Sequence, residues 1–443
     1  MMNLPLQVNF ALDRLNAAGF EAFVVGGAVR DFLLDGSLAT DWDITTSARP
    51  DEVSRVFSGC QLVETGLKHG TLTLILDALP LEITTYRIDG IYTDHRHPDA
   101  VHFTRSLRED LARRDFTINA LAYHPKTGLV DYEGGAEDLA NGLIRCVGEP
   151  ARRFQEDALR ILRALRFASR YEMQLEAKTA ASVHACKALL SGIAPERVRA
   201  ELTKLLCGKG AAEVLRRYGD VLAVVLPELS PMFGFAQHNP HHDKDVWAHT
   251  IAALDASSPA PPLRWAALLH DIGKPGCFSI ASDGLGHFYG HAGRSCAIAE
   301  TILSRLHFDN ATKERIVRLV RYHDMPITAS RSLLKRLLSK HGAEATRQLI
   351  ELHRADTLAQ AAICKDRIAV LDDALALLDC LLSEPPCFSV KDLAIDGHDV
   401  MALGFQGKQV GRALALCLDA VLDEALPNEA GALLSFLQKQ PLQ

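Results

Sequence analysis

Aromatic residues make up only 6% of this 443-residue chain, while Ala and Leu are abundant, a balance that favours helices. An excess of basic charge is also missing: 48 Lys and Arg face 55 Asp and Glu, for a net charge of −7. That excludes a molecule that coats nucleic acid by bulk charge, so a polyanionic partner must meet a local basic face. The ten Cys are scattered without a C-x-x-C pair, which gives little support to a zinc ribbon or a disulfide framework. There is no basic N-terminal segment leading into an apolar run, and no stretch approaches about 18 uninterrupted apolar residues. Neither secretion nor a membrane span is therefore indicated, and a cytoplasmic location is expected. At 443 residues the chain is too long for one compact core, and two to four domains are expected.

What is present is concentrated between Phe23 and Thr45, FVVGGAVRDFLLDGSLATDWDIT. Phe23 to Val25 reads as a buried strand, Gly26 and Gly27 as a turn, and Ala28 onward as a helix. A second strand carries Asp41 and Asp43 on either side of Trp42. Positions two apart on a strand share a face, so the two carboxylates project together, with Trp42 and Ile44 on the opposite side. Neighbouring carboxylates repel unless a cation lies between them, and Mg²⁺ with oxygen ligands is the natural neutraliser. The Gly turn and the following helix start offer N–H groups to an anion, and Arg30 lies within reach of phosphate oxygens. Together these residues describe a phosphoryl- or nucleotidyl-transfer site. Taken singly, a Gly-Gly pair is often only a turn and a D-x-D only a solvated strand edge.

Residues 70–76 and 81–86 read as further strands, giving an α/β domain up to about residue 145. Glu82, between Leu81 and Ile83, is either a third carboxylate at the metals or an exposed strand residue. Residues 87–105 are polar and aperiodic, a long loop of the kind that is usually functional or mobile. Glu109 to Tyr123 fits one helix, carrying Arg113, Arg114 and Asp115. Those three side chains suit a triphosphate and a ribose hydroxyl; standing alone, the segment reads more readily as a salt-bridged helix surface.

Strand patterns vanish after about residue 150. Residues 152–170 read as one strongly periodic helix, with Asp157, Arg160, Arg163 and Arg166 stepping along one side. Cytosine and adenine both present an amine donor beside a ring-nitrogen acceptor. An acceptor-only Asp157 and a donor-only Arg160 match that pattern and reject uracil and guanine. The plain alternative is an i,i+3 salt bridge. Helices continue through PERVRAELTKLL at 195–206. Further on, His249 precedes His270 and Asp271 of HDIGK, with His291, His323 and Asp356 downstream. Imidazole and carboxylate ligands on helices build metal sites with open positions for phosphate hydrolysis. The last 60 or so residues look helical and carry no evident chemistry.

As an ordered set, GGAVRD, DWD, LEITTYR, YTDHRHP, RRDFTINA, DYEGG, EDALRILRALRF and ERVRAEL resemble the motifs of class II tRNA nucleotidyltransferases, the bacterial CCA-adding enzymes of the DNA polymerase β-like superfamily. The resemblance covers most of residues 20–205. It implies an α+β chain: a small mixed α/β nucleotidyltransferase head (1–148), then an all-α neck (149–215), body (216–370) and tail (371–443), arranged along the acceptor arm of tRNA. It also implies that Gly27 and Arg30 contact the incoming nucleotide and that Asp41 and Asp43 bind Mg²⁺. Arg114 then meets a phosphate, Asp115 lies near the ribose, Asp157 and Arg160 pair with the base, and Arg163 and Arg166 support the triphosphate. The middle of the body resembles an HD phosphohydrolase domain, whose candidate ligands for a second divalent metal are His249, His270, Asp271 and Asp356, with His291 and His323 as further candidates. The expected reaction adds C, C and A from CTP and ATP to the tRNA 3′ end and releases pyrophosphate. Rivals are an A-adding or CC-adding relative, a poly(A) polymerase, an HD hydrolase with a nucleotide-sensing head, and an RNA-binding scaffold.

Overall fold

The computed structural model describes residues 2–37, 41–90, 101–282, 284–385 and 387–439. They form two compact units, Met1–Pro227 and Glu228–Gln443.

The first unit is built on a seven-stranded mixed sheet. Its strands are β1 (Ala22–Val25), β2 (Trp42–Thr46), β3 (Gln61–Gly66), β4 (Thr71–Leu76), β5 (Leu79–Thr85), then, after a separate ribbon of β6 (Arg87–Asp89) with β7 (Val101–Phe103), β8 (Leu121–His124) and β9 (Gly128–Asp131). The spatial order is β3-β4-β5-β2-β1-β8-β9. Strand β2 lies centrally, antiparallel to β1 with Val25 opposite Asp43, and parallel to β5 with Asp43 opposite Glu82. Helices α1 (Leu6–Ala17), α2 (Gly27–Asp35), α3 (Pro50–Val56), α4 (Leu107–Ala112) and α5 (Gly135–Ala140) accompany the sheet. Val25, Tyr86, Leu107, Leu111, Ala120, Ala122 and Val147 close one hydrophobic core cluster beside β1. Then come α6 (Pro150–Glu156), α7 (Leu159–Tyr171), α8 (Ala177–Cys186), α9 (Pro195–Leu206) and α10 (Ala211–Val225). The α+β class expected from the sequence is the one observed.

Three local expectations fail for physical reasons. The helix expected over 152–170 is two helices, because Asp157 takes an extended backbone (φ −141°, ψ 104°) and its Oδ1 accepts the Leu159 N–H at 3.0 Å. A short acidic side chain that bonds nearby backbone competes with the helix there. The helix expected over 109–123 ends at Ala112; a 3₁₀ turn (Thr117–Asn119) and strand β8 follow. Phe116 is extended there, its N–H held by the Asp115 carboxylate at 2.8 Å. Third, the ends of the 87–105 segment are not irregular, since β6 and β7 pair with Arg87 opposite Phe103. Residues 91–100, which include the whole YTDHRHP motif, lie outside the described residues.

The second unit is helical apart from the short pair Ser279–Ile280 with Gly286–His287. It contains α11 (Val246–Ala256), α12 (Pro261–Leu269), α13 (His291–Arg305), α14 (Asn310–Tyr322), α15 (Arg331–His341), α16 (Ala343–Ala359), α17 (Arg367–Ser383), α18 (Gly397–Ala402), α19 (Lys408–Leu422) and α20 (Ala430–Gln438). Helix α11 packs on α12 and α16, and α13 on α14. The last three helices share their own core around Val400, Cys417, Val421 and Leu433. The expected boundary at 215/216 falls inside α10, and that at 370/371 inside α17. Among the described residues, no helix is long and apolar enough to cross a membrane.

Candidate active site and a second, histidine-rich cluster

A cavity of about 390 Å³ in the first unit is lined by Asp43, Glu82, Arg114, Asp115, Asp157, Arg160 and Arg163, among others. These residues come from strands β2 and β5, the turn after α4, and the α6–α7 junction, so the fold gathers positions more than a hundred residues apart in sequence. Because β2 alternates, Trp42 and Ile44 are buried while Asp43 is exposed; Asp41, also exposed, immediately precedes the strand. Glu82 is the register partner of Asp43, so their carboxylates share a face. Although Asp43 is solvent-accessible, its carboxylate is lodged among enough protein for desolvation to push its pKa up. Glu82 and Asp41 push the same way, against the Arg114 guanidinium. Carboxylates crowded together in this way are a donor set that fits a divalent cation.

The turn between β1 and α2 depends on Gly26, whose φ of +71° is the left-handed region. A Cβ there would lie 3.4 Å from Arg114 Nη1 and 3.6 Å from Asp43 Oδ2. The sequence assigned the close approach to the Gly26-Gly27 pair and the resemblance singled out Gly27 as a nucleotide contact; a Cβ at Gly27 would meet Arg30 Nη2 at 3.5 Å.

Basic groups border the carboxylates. Asp110, missed in the sequence, is fully buried and receives Arg113 Nη2 at 2.8 Å and the Thr45 hydroxyl at 3.0 Å, with Arg114 Nη2 at 3.6 Å. Burial raises its pKa, but Arg113 and Arg114 outweigh that and hold it low. Its spacing of three and four residues from those arginines was the available signal. Asp115 is likewise buried, accepting from Arg163 Nη2 at 2.6 Å and Asn119 Nδ2 at 3.0 Å. Burial pushes Asp115 up, while Arg163, Asn119 and Arg160 more than offset it and keep it well below the usual carboxylate range.

Asp157 and Arg160 both line the cavity but do not bridge each other. Asp157 Oδ2 accepts from Arg197 Nη2 at 3.0 Å, and Arg160 Nη1 donates to Glu156 Oε2 at 2.8 Å. Arg197, on α9, is a cavity residue that sequence reasoning passed over within ERVRAEL.

Four expected site residues do not line the cavity: Gly27, Arg30, Asp41 and Arg166. Arg30 is 6% exposed, pairs with Asp31 at 2.8 Å and with Asn119, and its guanidinium carbon lies 5.1 and 5.0 Å from the ring centroids of Phe167 and Tyr171. Arg166 pairs with Glu201 at 3.0 Å. Both arginines fasten α7 rather than point at the cavity.

In the second unit, His249, His270, Asp271 and Asp356 converge, with donor atoms within 4.8 Å of one another. His249 Nε2 lies 2.8 Å from Asp356 Oδ1 and 3.4 Å from Asp271 Oδ2; His270 Nε2 lies 3.2 Å from Asp271 Oδ2. Asp271 also meets Lys274 Nζ at 2.7 Å. Burial raises Asp271, but His270 and Lys274 hold it well below the usual range. Burial alone would lower His270, yet Asp271 and Asp356 leave it pushed up to about 10. Most of these groups sit at helix ends: His270 at the C-terminus of α12, His291 opening α13, His323 closing α14, and Asp356 in the last turn of α16. The HDIGK glycine has a packing reason, since a Cβ on Gly273 would fall 2.6 Å from the Ser295 nitrogen on α13.

Comparison with known proteins now adds to the geometry. Residues 22–145 match the family described as "Poly A polymerase head domain", 172–233 "Probable RNA and SrmB- binding site of polymerase A", and 289–437 "tRNA nucleotidyltransferase domain 2 putative". The CCA-adding enzyme of Ligilactobacillus salivarius is 42% identical over 256 residues, 55% of this chain and 63% of that protein, so this match spans just under two thirds of the relative. A crystal structure of the Bacillus stearothermophilus CCA-adding enzyme in complex with CTP superposes with a TM-score of 0.73 at 27% identity, covering 99% of this chain and 98% of that one. The CCA-adding enzyme of Enterococcus faecalis is 32% identical over 435 residues, 96% of this chain and 94% of its own length. With sequence similarity and fold extending end to end in this way, the chain belongs to the CCA-adding enzyme family.

Proposed function

We propose that this chain adds C, C and A from CTP and ATP to the 3′ end of tRNA without a template, releasing pyrophosphate. The observation that carries the reading is the meeting of Asp43, Glu82 and Arg114 with Asp157 and Arg160 in one cavity. Transfer chemistry and base selection then share a single pocket.

Asp41 and Asp43, with Glu82 beside them, hold Mg²⁺ in this reading. Mg²⁺ there would lower the pKa of the attacking hydroxyl and neutralise the triphosphate. Arg114 faces a phosphate across the Gly26 turn, where no side chain obstructs the approach. Asp115 lies near the ribose and is locked by Arg163. The Asp157 carboxylate accepts from the exocyclic amine of cytosine or adenine, and Arg160 donates to the adjacent ring nitrogen; uracil and guanine offer the reverse pattern. Arg163 lines the cavity beside Asp115 and supports the triphosphate, while Gly27, Arg30 and Arg166 act behind this layer by fixing α2 and α7. Neck and tail basic groups hold the tRNA backbone, with affinity that falls as salt rises. The division into head (1–148), neck (149–215), body (216–370) and tail (371–443), and a cytoplasmic location, belong to the same proposal.

The decisive experiment offers the purified full chain tRNAs ending before C74, before C75 and before A76, with CTP and ATP singly and together. Stepwise addition of C, C and A is expected. ATP-only tailing of any RNA would replace this reading with a poly(A) polymerase, and addition of A alone with an A-adding relative.

A second activity is supported by His249, His270, Asp271 and Asp356: an HD-type metal centre for phosphate ester hydrolysis in the second unit. Asp41→Asn is expected to abolish nucleotide addition and leave metal-dependent phosphatase activity intact.

A further inference from the structure

Asn119 lies outside the cavity lining and is bonded to Arg30, Arg114 and Asp115 at once. It ends the 3₁₀ turn Thr117–Asn119 and is 6% exposed. Its Oδ1 accepts from Arg30 Nη1, its Nδ2 donates to Asp115 Oδ1 at 3.0 Å, and its backbone oxygen accepts from Arg114 Nη1 at 3.4 Å. The partners fix which way the amide points. A guanidinium only donates and an ionised carboxylate only accepts, so Oδ1 must face Arg30 and Nδ2 must face Asp115. Asp in this place would set a second carboxylate against Asp115, and an apolar residue would bond neither neighbour.

From each end of the amide the bonds continue to α7. Arg30 Nε and the Tyr171 hydroxyl both donate to Asp31 Oδ1 at 2.8 Å, and Tyr171 is the last residue of α7. Asp115 Oδ2 receives Arg163 Nε at 2.8 Å and Nη2 at 2.6 Å, from the first half of the same helix. Asn119 therefore closes a circuit that leaves α7 at Arg163 and returns to it at Tyr171, by way of α2.

Four donors meet Asp115. The two Arg163 nitrogens bond Oδ2; the Phe116 N–H, at 2.8 Å, and Asn119 Nδ2 bond Oδ1. An ionised carboxylate has about four lone-pair positions, so Asp115 is saturated. A ribose hydroxyl must displace one donor to be accepted. Arg163 is the partner able to yield: its side chain is 33% exposed, it lines the cavity, and a triphosphate offers it another anion. The buried Oδ1 side then holds the carboxylate by itself. One bond from Phe116 leaves the group able to turn, whereas two donors on one oxygen fix its plane.

We propose that Asn119 is a positioning residue for sugar selection: it holds Asp115 in the plane that receives the ribose 2′-hydroxyl while Arg163 turns to the triphosphate. The proposal rests on reading Asp115 as the group near the ribose. A 2′-deoxynucleotide has no hydroxyl to offer there, so it loses less when Asn119 is replaced.

The test measures kcat and KM for CTP and dCTP on the full chain, with tRNA ending before C74, in the parent, Asn119→Ala, Asn119→Asp and Asp115→Asn. The parent is expected to prefer CTP. Each Asn119 substitution should lower the ratio of kcat/KM for CTP to that for dCTP by about 10-fold, with the loss falling on CTP. A purely structural part for Asn119 would lower both nucleotides alike and leave the ratio unmoved. Asn119→Asp keeps the volume and the Arg30 contact, so it carries the test should Asn119→Ala unfold. An unmoved ratio in a folded Asn119 variant, with Asp115→Asn lowering it, overturns the part given to Asn119 alone. An unmoved ratio in Asp115→Asn, or a parent that does not prefer CTP, overturns the reading of Asp115 as well.

Discussion

The Arg197 guanidinium on α9 sits 3.0 Å from the Asp157 carboxylate, the acid whose other oxygen receives the Leu159 N–H that starts α7. Asp157, the base reader of the proposed function, is thus also a helix cap, and Arg197 fixes the direction of its remaining lone pairs. Asp157→Ala should lower stability by about 1 kcal/mol through the lost cap and also reduce discrimination. Asp157→Asn keeps a capping oxygen, so its melting temperature should stay near that of the parent. Its kcat/KM for CTP and ATP should still fall about 10-fold or more, because an amide weakens a charge-assisted acceptor. Arg197→Ala should raise UTP incorporation relative to CTP while pyrophosphate release per CMP added is unchanged. Competition assays with paired nucleotides read both effects.

The Asp43–Glu82 register pair makes a pH prediction. Burial, then Glu82 and Asp41, raise the Asp43 pKa. A raised carboxylate contributes stability below its folded pKa and loses it as pH rises through that value. Metal binding needs the deprotonated form, so Asp43 sets an acid limb on nucleotide addition. Glu82→Gln removes one repelling charge and should move that limb to lower pH. Profiles of kcat/KM against pH at fixed Mg²⁺ measure it, and an unmoved limb would separate the two carboxylates.

Asp115 gives the opposite sign. Arg163, Asn119 and Arg160 depress it despite burial, so its contribution is present above about pH 4, the unfolded value, and is lost as pH falls toward the folded one. Asp115→Asn should flatten this acid-side loss in thermal melts. Removing one partner of a buried pair costs about 3–5 kcal/mol; with the Arg163 side chain 33% exposed, about 2 kcal/mol is expected for Arg163→Ala.

Arg30 distinguishes a nucleotide contact from a fastening. It is buried beside the rings of Phe167 and Tyr171 and paired with Asp31 and Asn119. Arg30→Lys, which keeps the charge but loses the planar fork, should lower the melting temperature by several degrees. The KM for CTP should change less than about threefold, since lost positioning acts on kcat. A large KM increase in a normally stable variant would place Arg30 on the nucleotide itself.

Gly26→Ala should reduce nucleotide addition about 10-fold or more. The substitution strains a backbone at φ +71° and puts a methyl group against Arg114 and Asp43. Gly36→Ala, in the left-handed helical region at φ +73° and ψ 8° with nothing within 4 Å, carries a milder strain without that crowding and is the control for a positive φ alone.

The strand-borne chemistry was legible because a strand's period is local. Trp42 and Ile44 buried, Asp43 exposed, and Glu82 between Leu81 and Ile83 all follow from alternation within five or six residues. The helix-borne chemistry was less so. Asp157 ends one helix instead of continuing it, because a side-chain bond to Leu159 outweighed the apolar periodicity around it. Arg113 to Ala120 looked helical by spacing, yet the Asp115 carboxylate, held by Arg163 from a distant helix, bends the chain into β8.

By itself, the sequence determined the α+β order of elements, the motif set, and the residue types able to hold a metal and a triphosphate, since all of these depend on short-range spacing and side-chain chemistry. Only the tertiary structure decided that Asp43 stands opposite Glu82, that Arg30 and Arg166 turn inward while Arg197 faces the cavity, and that His249, His270, Asp271 and Asp356 converge. Those outcomes depend on strand register and helix packing, where burial and charge pairing between distant segments set each side chain's direction.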